Sequence, residues 1–314
     1  MQQLYKARDF GALFQDTFAF LKNNGGHLYK NFFIVNGIFI MILLVFGYFF
    51  SKFYTDFIFG GLLNNSTTDL DNYLNENAGI FFILIILFII VGLTAAVISY
   101  SFVPIYLKLY DRHEGKNFGV NEIISEFRKN VFSIFIFLIC GLILAIPTLL
   151  VAGITSLILT ITLIGIFALP LVLGAVSLFY QLTLMEKINS RKGIWESFGY
   201  SLSLLGQNFW VSIGCVGIFY VMSYLVQYIV SLVPYVFGMI SMFTTIETNT
   251  QPSPEEFSST MSVTMILVFI LSSLVSAILG VITQLNQGIV FYSLKENNEN
   301  INTKSIIDQI GSGE

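Results

Sequence analysis

GALFQDTFAFLKNNGGHLYKNFF (11–33), GVNEIISEFRKNVF (119–132) and GIWESFGYSLSLLGQNFW (193–210) are three versions of one unit. Each is a short amphipathic segment closing on an Asn (Asn31, Asn130, Asn208), followed within two positions by an aromatic residue and then by a pair of long apolar runs. A unit that recurs in this way points to an architecture before any single residue is interpreted. The expected fold is all-α: a polytopic membrane protein with six transmembrane helices. They form three parallel helical-hairpin repeats, each preceded by a cytoplasmic interfacial amphipathic helix. The repeats cover about 10–107, about 118–185 and about 193–294 of a single integral membrane domain, with a cytoplasmic tail at 295–314.

Composition demands a membrane. Of 314 residues 55% are hydrophobic and 11% charged, where a soluble domain carries about a quarter charged residues. Crossing ~30 Å of hydrocarbon takes roughly 20 apolar residues per helix. Spans are expected near Phe32–Phe53, Ala78–Tyr106, Val131–Val151, Ile154–Leu184, Phe209–Val233 and Met261–Leu294. The third and fourth have no polar loop between them. From Val131 to Tyr180 the chain carries no charge, a stretch of roughly 75 Å as helix at ~1.5 Å per residue. It must fold back, and Ala152-Gly153 is the expected place. Pro104, Pro147 and Pro170 are expected to kink or end helices, with Pro170 deep inside a span.

Basic residues orient the spans. Lys6, Arg8, Lys22 and Lys30 precede the first. Lys108, Arg112, Lys116, Arg128 and Lys129 lie between the second and third, Lys187, Arg191 and Lys192 between the fourth and fifth, and Lys295 and Lys304 after the last. Only Lys52 lies on the other side, among Asp56, Asp69, Asp71, Glu76, Glu247, Glu255 and Glu256. Retention of Lys and Arg on the cytoplasmic side then puts both termini in the cytoplasm. No cleavable signal sequence is read at the N-terminus, so the first span is expected to stay in the chain.

Helical periodicity assigns faces to the amphipathic segments. Leu13, Phe14, Thr17, Phe18 and Leu21 form the apolar stripe of the first. In the second, Val120, Ile123, Ile124 and Phe127 oppose Asn121, Glu122, Glu126 and Arg128. In the third, Ile194, Trp195, Phe198, Leu202 and Leu205 oppose Glu196, Ser197 and Gln207. Flanked by Lys and Arg, these segments suit helices resting at the headgroup boundary, where each basic residue near anionic lipid contributes about 1 kcal/mol. All copies start on the same side, unlike the inverted repeats of many alternating-access transporters.

The chemistry on offer is sparse. Apart from Lys52 at the outer end of the first, the spans hold no Asp, Glu, Lys, Arg or His, the residues that mark proton relays and ion paths within hydrocarbon. Candidate polar intramembrane positions are Asn36, Gln181, Gln227, Gln284, Asn286 and Gln287; Thr94, Ser99 and Ser101 are further uncharged polar groups. Interhelical hydrogen bonding is the commoner role for such residues. His27 and His113 are the only histidines, and Asp111, His113 and Glu114 read as a solvated charged loop in preference to a metal site. Cys140 and Cys215 read as buried apolar side chains. No catalytic residue, cofactor or metal is therefore expected, and a net charge of −4 gives no support to nucleic-acid binding. Expected partners are membrane lipids and a protein partner or second copy in the membrane.

With the surface helix, Asn boundary and six spans in place, the chain resembles a broad uncharacterised bacterial family, which includes the membrane domain attached to some glycerophosphodiester phosphodiesterases. Leu4-Tyr-Lys-Ala-Arg-Asp-Phe-Gly11 through Asp16-Thr-Phe-Ala-Phe-Leu-Lys22 is similar to flavobacterial members of that group. The resemblance implies an inner-membrane location and no activity, since the soluble phosphodiesterase domain with its metal-binding carboxylates is not among these residues. Two functional readings follow: a non-enzymatic subunit or scaffold of a membrane complex, or a transporter or lipid-handling protein with a site among the three hairpins.

Overall fold

A computed structural model of the chain describes the backbone of residues 2–64, 67–162, 165–190, 192–247 and 254–302. Side chains are described for 2–51, 79, 82–162, 165–190, 192–240, 243, 260 and 262–302. Among the described residues every regular element is a helix: α1 (Phe10–Asn64), α2 (Thr67–Arg112), α3 (Val120–Ile161), a short 3-10 turn (Gly165–Ala168), α4 (Leu169–Asn189), α5 (Ile194–Gln207), α6 (Phe209–Glu247) and α7 (Pro254–Glu299). Six stretches are long and apolar enough to cross a membrane, from Phe10–Ser51 to Ser262–Glu299, in the order expected. The protein is a multi-pass, all-helical membrane protein.

Several local expectations change. The first two amphipathic segments are helical but are not separate elements; they are the opening turns of α1 and α3, which run on past Asn31 and Asn130. Only the third stands alone, as α5, with Asn208 breaking the chain before α6 at φ −131° and ψ 48°. The fold-back of the middle hairpin lies at Thr162–Gly165, not at Ala152-Gly153, and α3 passes through Ala152 and Gly153 unbroken. Thr162 closes it: its backbone N–H donates to the Leu159 carbonyl, and its carbonyl and Oγ1 both accept from the Gly165 N–H. An Ala-Gly pair inside a continuous apolar run can stay helical when tertiary packing favours it, because the propensity cost is only ~1 kcal/mol. Pro170 sits in the first turn of α4, where its missing N–H has no helical partner to lose. Pro104 and Pro147 lie inside α2 and α3. On the far side of the spans, residues 67–77 are helical backbone continuous with α2, and residues 243–247 continue α6.

The chain forms two compact units, neither of them one continuous stretch of sequence. The first comprises Met1–Val35, Ser99–Ser223 and Leu279–Glu314. Its centre is built from three helical segments buried on every side: Ser101–Leu107 of α2, Gln181–Glu186 of α4 and Leu285–Glu296 of α7. A helix buried all round belongs to an interior. The three meet at Gly288, where a Cβ would run into Leu107 and also touch Met185. Around them, the opening turns of α1 bury only one stripe, Leu13, Thr17, Phe20, Asn24, Leu28 and Asn31. The matching stripe on α3 is Ile123, Glu126, Asn130, Ile134, Phe137 and Gly141. On α5 the buried face is Ser197, Phe198, Ser201, Leu204 and Leu205. The opposite faces of α3 and α5 carry exposed Phe132, Phe135, Leu142, Ile146, Trp195 and Leu202, the apolar exterior that a lipid solvent requires. Helices α4 and α6 touch backbone to backbone: a Cβ on Gly174 would lie 3.2 Å from the Gly217 amide nitrogen.

The second unit comprises Asn36–Ile98 and Tyr224–Ile278. Phe88 of α2 packs edge-on against Phe46 and Phe50 of α1. Gly47 leaves its Cβ space to the ring of Phe269, and Gly238 leaves its own to Thr264. Small residues that admit a neighbour closely are the usual device of helix association in lipid.

Replacing Gly174 with Leu is expected to cost about 1–3 kcal/mol by overpacking the α4–α6 contact. Thermal unfolding of the detergent-solubilised protein measures it. An unchanged midpoint would show that the two backbones are not in contact.

Candidate functional site

The polar chemistry of the first unit gathers into four stations, and three of them involve charges that the apolar surroundings would otherwise reject. At the first, the imidazole of His27 is held at both nitrogens. Nε2 donates to the Phe118 carbonyl at 2.9 Å, and Nδ1 is hydrogen-bonded to the Tyr106 hydroxyl at 2.8 Å. The Asn31 amide donates to the His27 carbonyl at 2.8 Å, one helical turn back. His113 packs its ring on Phe118 from the other side.

Asn130 repeats that device at the second station. Its amide donates to the Glu126 carbonyl at 2.8 Å and to the Glu126 carboxylate at 3.2 Å. Periodicity assigned Glu126 to the outward face, and this is corrected: Glu126 is buried on the inward stripe of α3. Its carboxylate meets Lys108 at 2.8 Å and Arg112 at 3.0 Å, both from α2, with Lys129 more distant at 3.9 Å. The Lys108 ammonium also donates to the Ile188 carbonyl at the end of α4. One lysine thus ties α2 to two other helices.

The third station is the deepest. The Glu186 side chain has 0% exposure and lies between two ammonium groups, Lys192 at 2.9 Å and Lys295 at 2.8 Å. Lys192 sits 3.4 Å above the ring of Tyr200, a cation–π contact. The Tyr200 hydroxyl donates to Glu299, and burial followed by that carboxylate pushes its phenol well above the ordinary range. At the fourth station the Arg8 guanidinium, fully covered, donates to Asp16 at 2.7 Å and to the carbonyls of Gln3, Leu4 and Lys6. The Arg8 backbone N–H reaches the Ser293 hydroxyl, and the Gln2 N–H reaches the Tyr110 hydroxyl, so residues 2–9 are laced across the ends of α2 and α7.

Of the six polar positions singled out in the spans, Gln181, Gln284, Asn286 and Gln287 belong to the first unit and Asn36 and Gln227 to the second. Asn286 donates to Thr17 Oγ1 at 3.0 Å and to Cys215 Sγ at 3.4 Å, joining α7 to α1 and α6. Gln287 donates to the Ser177 hydroxyl of α4 at 2.8 Å. Gln284, with its amide nitrogen toward α2, donates to the carbonyls of Ser99 and Tyr100 at 3.1 and 3.3 Å, and Pro104 is the residue that leaves the Tyr100 carbonyl without its helical donor. In the second unit, Gln227 donates to the Ser272 carbonyl and accepts from Ser276, both at 3.3 Å, and Asn36 is fully buried. Gln181 is different. It is fully buried in α4, and neither its amide oxygen nor its amide nitrogen has a partner. The Asn286 amide oxygen is likewise unmatched.

Sequence reasoning missed the buried roles of Glu126, Glu186 and Arg8: it turned Glu126 outward on its helix and read Arg8 only as an orienting charge before the first span. Two signals were present: Glu126 stands one turn before an Asn that turns inward, and Glu186 ends a run of buried residues on α4. Chemically the stations are saturated. A carboxylate between two ammonium groups cannot take a proton without breaking both pairs, and His27 has no free ring nitrogen. Among the described residues no three His, Cys, Asp or Glu side chains gather as metal ligands.

Replacing Glu186 with Gln strands the buried Lys295 ammonium and the half-buried Lys192 and is expected to cost about 3–5 kcal/mol, the usual result of removing one partner of a buried pair. Lys295→Met in the same chain should recover part of that loss, and unfolding midpoints in detergent report it; no recovery would refute the pairing. Gln181→Leu should instead stabilise the protein by about 1–3 kcal/mol, because it removes a buried amide that has no partner. No family model, curated protein or solved structure matches the chain, so the functional argument stands on this chemistry alone.

Proposed function

We propose that this protein is a non-enzymatic integral subunit or scaffold of a membrane complex, in a bacterial inner membrane with both termini in the cytoplasm. The observation that carries the reading is the commitment of the polar groups. Glu126, Glu186, Arg8, His27, Asn286 and Gln287 each bind another segment of the same unit. A group held in this way defines helix positions and is not released for chemistry without cost. What remains available to other molecules is the apolar exterior and its polar rim. Kinship with the membrane domains that accompany some glycerophosphodiester phosphodiesterases belongs to the same proposal, and it carries no phosphodiesterase activity with it.

A lipid-handling role is the second reading, favoured by one observation: the buried and unpaired amide of Gln181. If that amide serves a ligand, Gln181→Leu removes a binding group; if it is merely unsatisfied, the same change stabilises the fold.

Purification from the native membrane in mild detergent separates the readings. The subunit role predicts a stoichiometric partner or a defined homo-oligomer by size-exclusion chromatography with light scattering and mass spectrometry. A lone monomer that persists after crosslinking in the membrane would overturn it. Loss of a co-purifying lipid in Gln181→Leu, without a gain in stability, would favour the second reading.

A further inference from the structure

The first two repeat copies share a device whose inward half is structural and whose outward half has no partner of comparable strength. In Lys30-Asn31-Phe32-Phe33 and Lys129-Asn130-Val131-Phe132 the Asn turns inward and bonds to its own helix. That fixes the rotation of the helix at this level. The preceding lysine must then point outward, and so must the aromatic residue three positions after it, because i and i+3 share a helix face. The burial pattern agrees: Lys30 is exposed above Phe33 at 37%, and Lys129, its side chain 67% exposed, above Phe132 at 70%. Below Phe132 the same face of α3 continues as exposed Phe135, Ile139 and Leu142. Among the described residues Lys30 makes no ion pair. Lys129 makes only the long 3.9 Å approach to Glu126, whose oxygens already hold Lys108 and Arg112. Each copy therefore presents an ammonium without a close carboxylate of its own on the same helix face as an exposed aromatic ring, and in the second copy that face continues as apolar surface. The third copy lacks the device: α5 ends at Gln207, which is bonded to Asn298, and Trp210 belongs to another helix.

We propose that Lys30–Phe33 and Lys129–Phe132 are two equivalent sites for an anionic phospholipid, with the ammonium on the headgroup phosphate and the ring at the glycerol–acyl junction. Charge complementarity selects the headgroup, and the apolar face below selects an acyl chain over a free anion. Lysine stems bury along apolar surface while the charge reaches the polar boundary, and aromatic rings favour that same boundary. The inference rests on the membrane reading and deepens it by naming the lipid class and its contacts.

Native mass spectrometry of the full-length protein, delipidated and titrated with phosphatidylglycerol or phosphatidylcholine, tests it. Wild type should retain phosphatidylglycerol preferentially. Lys30→Gln and Lys129→Gln should each weaken one site about fivefold, the equivalent of ~1 kcal/mol per lysine, and the double variant should hold the two lipids alike. Lys22→Gln removes an exposed lysine whose i+3 residue is Gly25 and should change nothing. Lys30→Arg and Lys129→Arg should keep the preference, which guards against a double variant that simply folds poorly. Equal retention by wild type and the double variant, an equal loss in Lys22→Gln, or displacement of the lipid by dissolved glycerol phosphate would overturn the proposal. Carbonate extraction of native membranes is the separate control. Protein released by alkali would refute the membrane reading itself, whereas protein that stays behind without a lipid preference would refute only these sites.

Discussion

Glu186 is a carboxylate with no access to solvent, and its position is tolerable only because Lys192 and Lys295 reach it from either side. Isolated charges in such surroundings cost far more than a helix contact returns. The end of α4, the start of α5 and the buried run of α7 are therefore obliged to meet at one place. The same logic brings α2 to α3 at Glu126 and residues 2–9 to α1 at Asp16. The ends of the helices in the first unit are thus positioned by charges that could not be buried singly. The apolar packing at Gly288, Leu107 and Met185 fills the space between them.

Asn31 and Asn130 use one device on two helices. Each returns an amide hydrogen to the carbonyl one turn earlier, which lets a polar side chain face the interior without a partner from another helix. The residue at that earlier turn is then free to be the linking group, His27 in one copy and Glu126 in the next. In the third copy the corresponding position is Leu204, Asn208 breaks the chain, and no such link forms. Divergence among the copies is therefore a divergence of connectivity, with the shared element reduced to helix orientation. This explains why the copies carry no common chemical group that could serve as a triplicated site.

Local properties were legible in the sequence wherever one helix alone decides them. Hydropathy and charge scarcity located six spans because each needs only its own apolar length. Of the stripe expected on the first segment only Leu13 and Thr17 are buried; Phe14 and Leu21 are half-buried, Phe18 is exposed, and the buried line runs on through Phe20 and Asn24. Periodicity failed at Glu126, since the rule that charges face outward assumes water outside, and here Lys108 and Arg112 were waiting inside. It failed again at Ser197, expected outside and found buried: in lipid, small polar residues pack inward, while Trp195 and Leu202, placed with the apolar stripe, are exposed. Of the six polar positions, their interhelical role was anticipated as a class, but no spacing rule could pair Asn286 with Thr17 or leave Gln181 alone.

The sequence by itself determined that this is a multi-pass helical membrane protein, because the bilayer imposes its length and polarity on every span separately. Only the tertiary structure decided which charges lie inside, where the middle hairpin turns and which lysines remain unpaired. Those outcomes depend on groups far apart in the chain: Lys295 for Glu186, Gly217 for the seating of α4, and Lys108 and Arg112 for Glu126. A pairing energy belongs to two residues at once, and no reading along one helix contains the second.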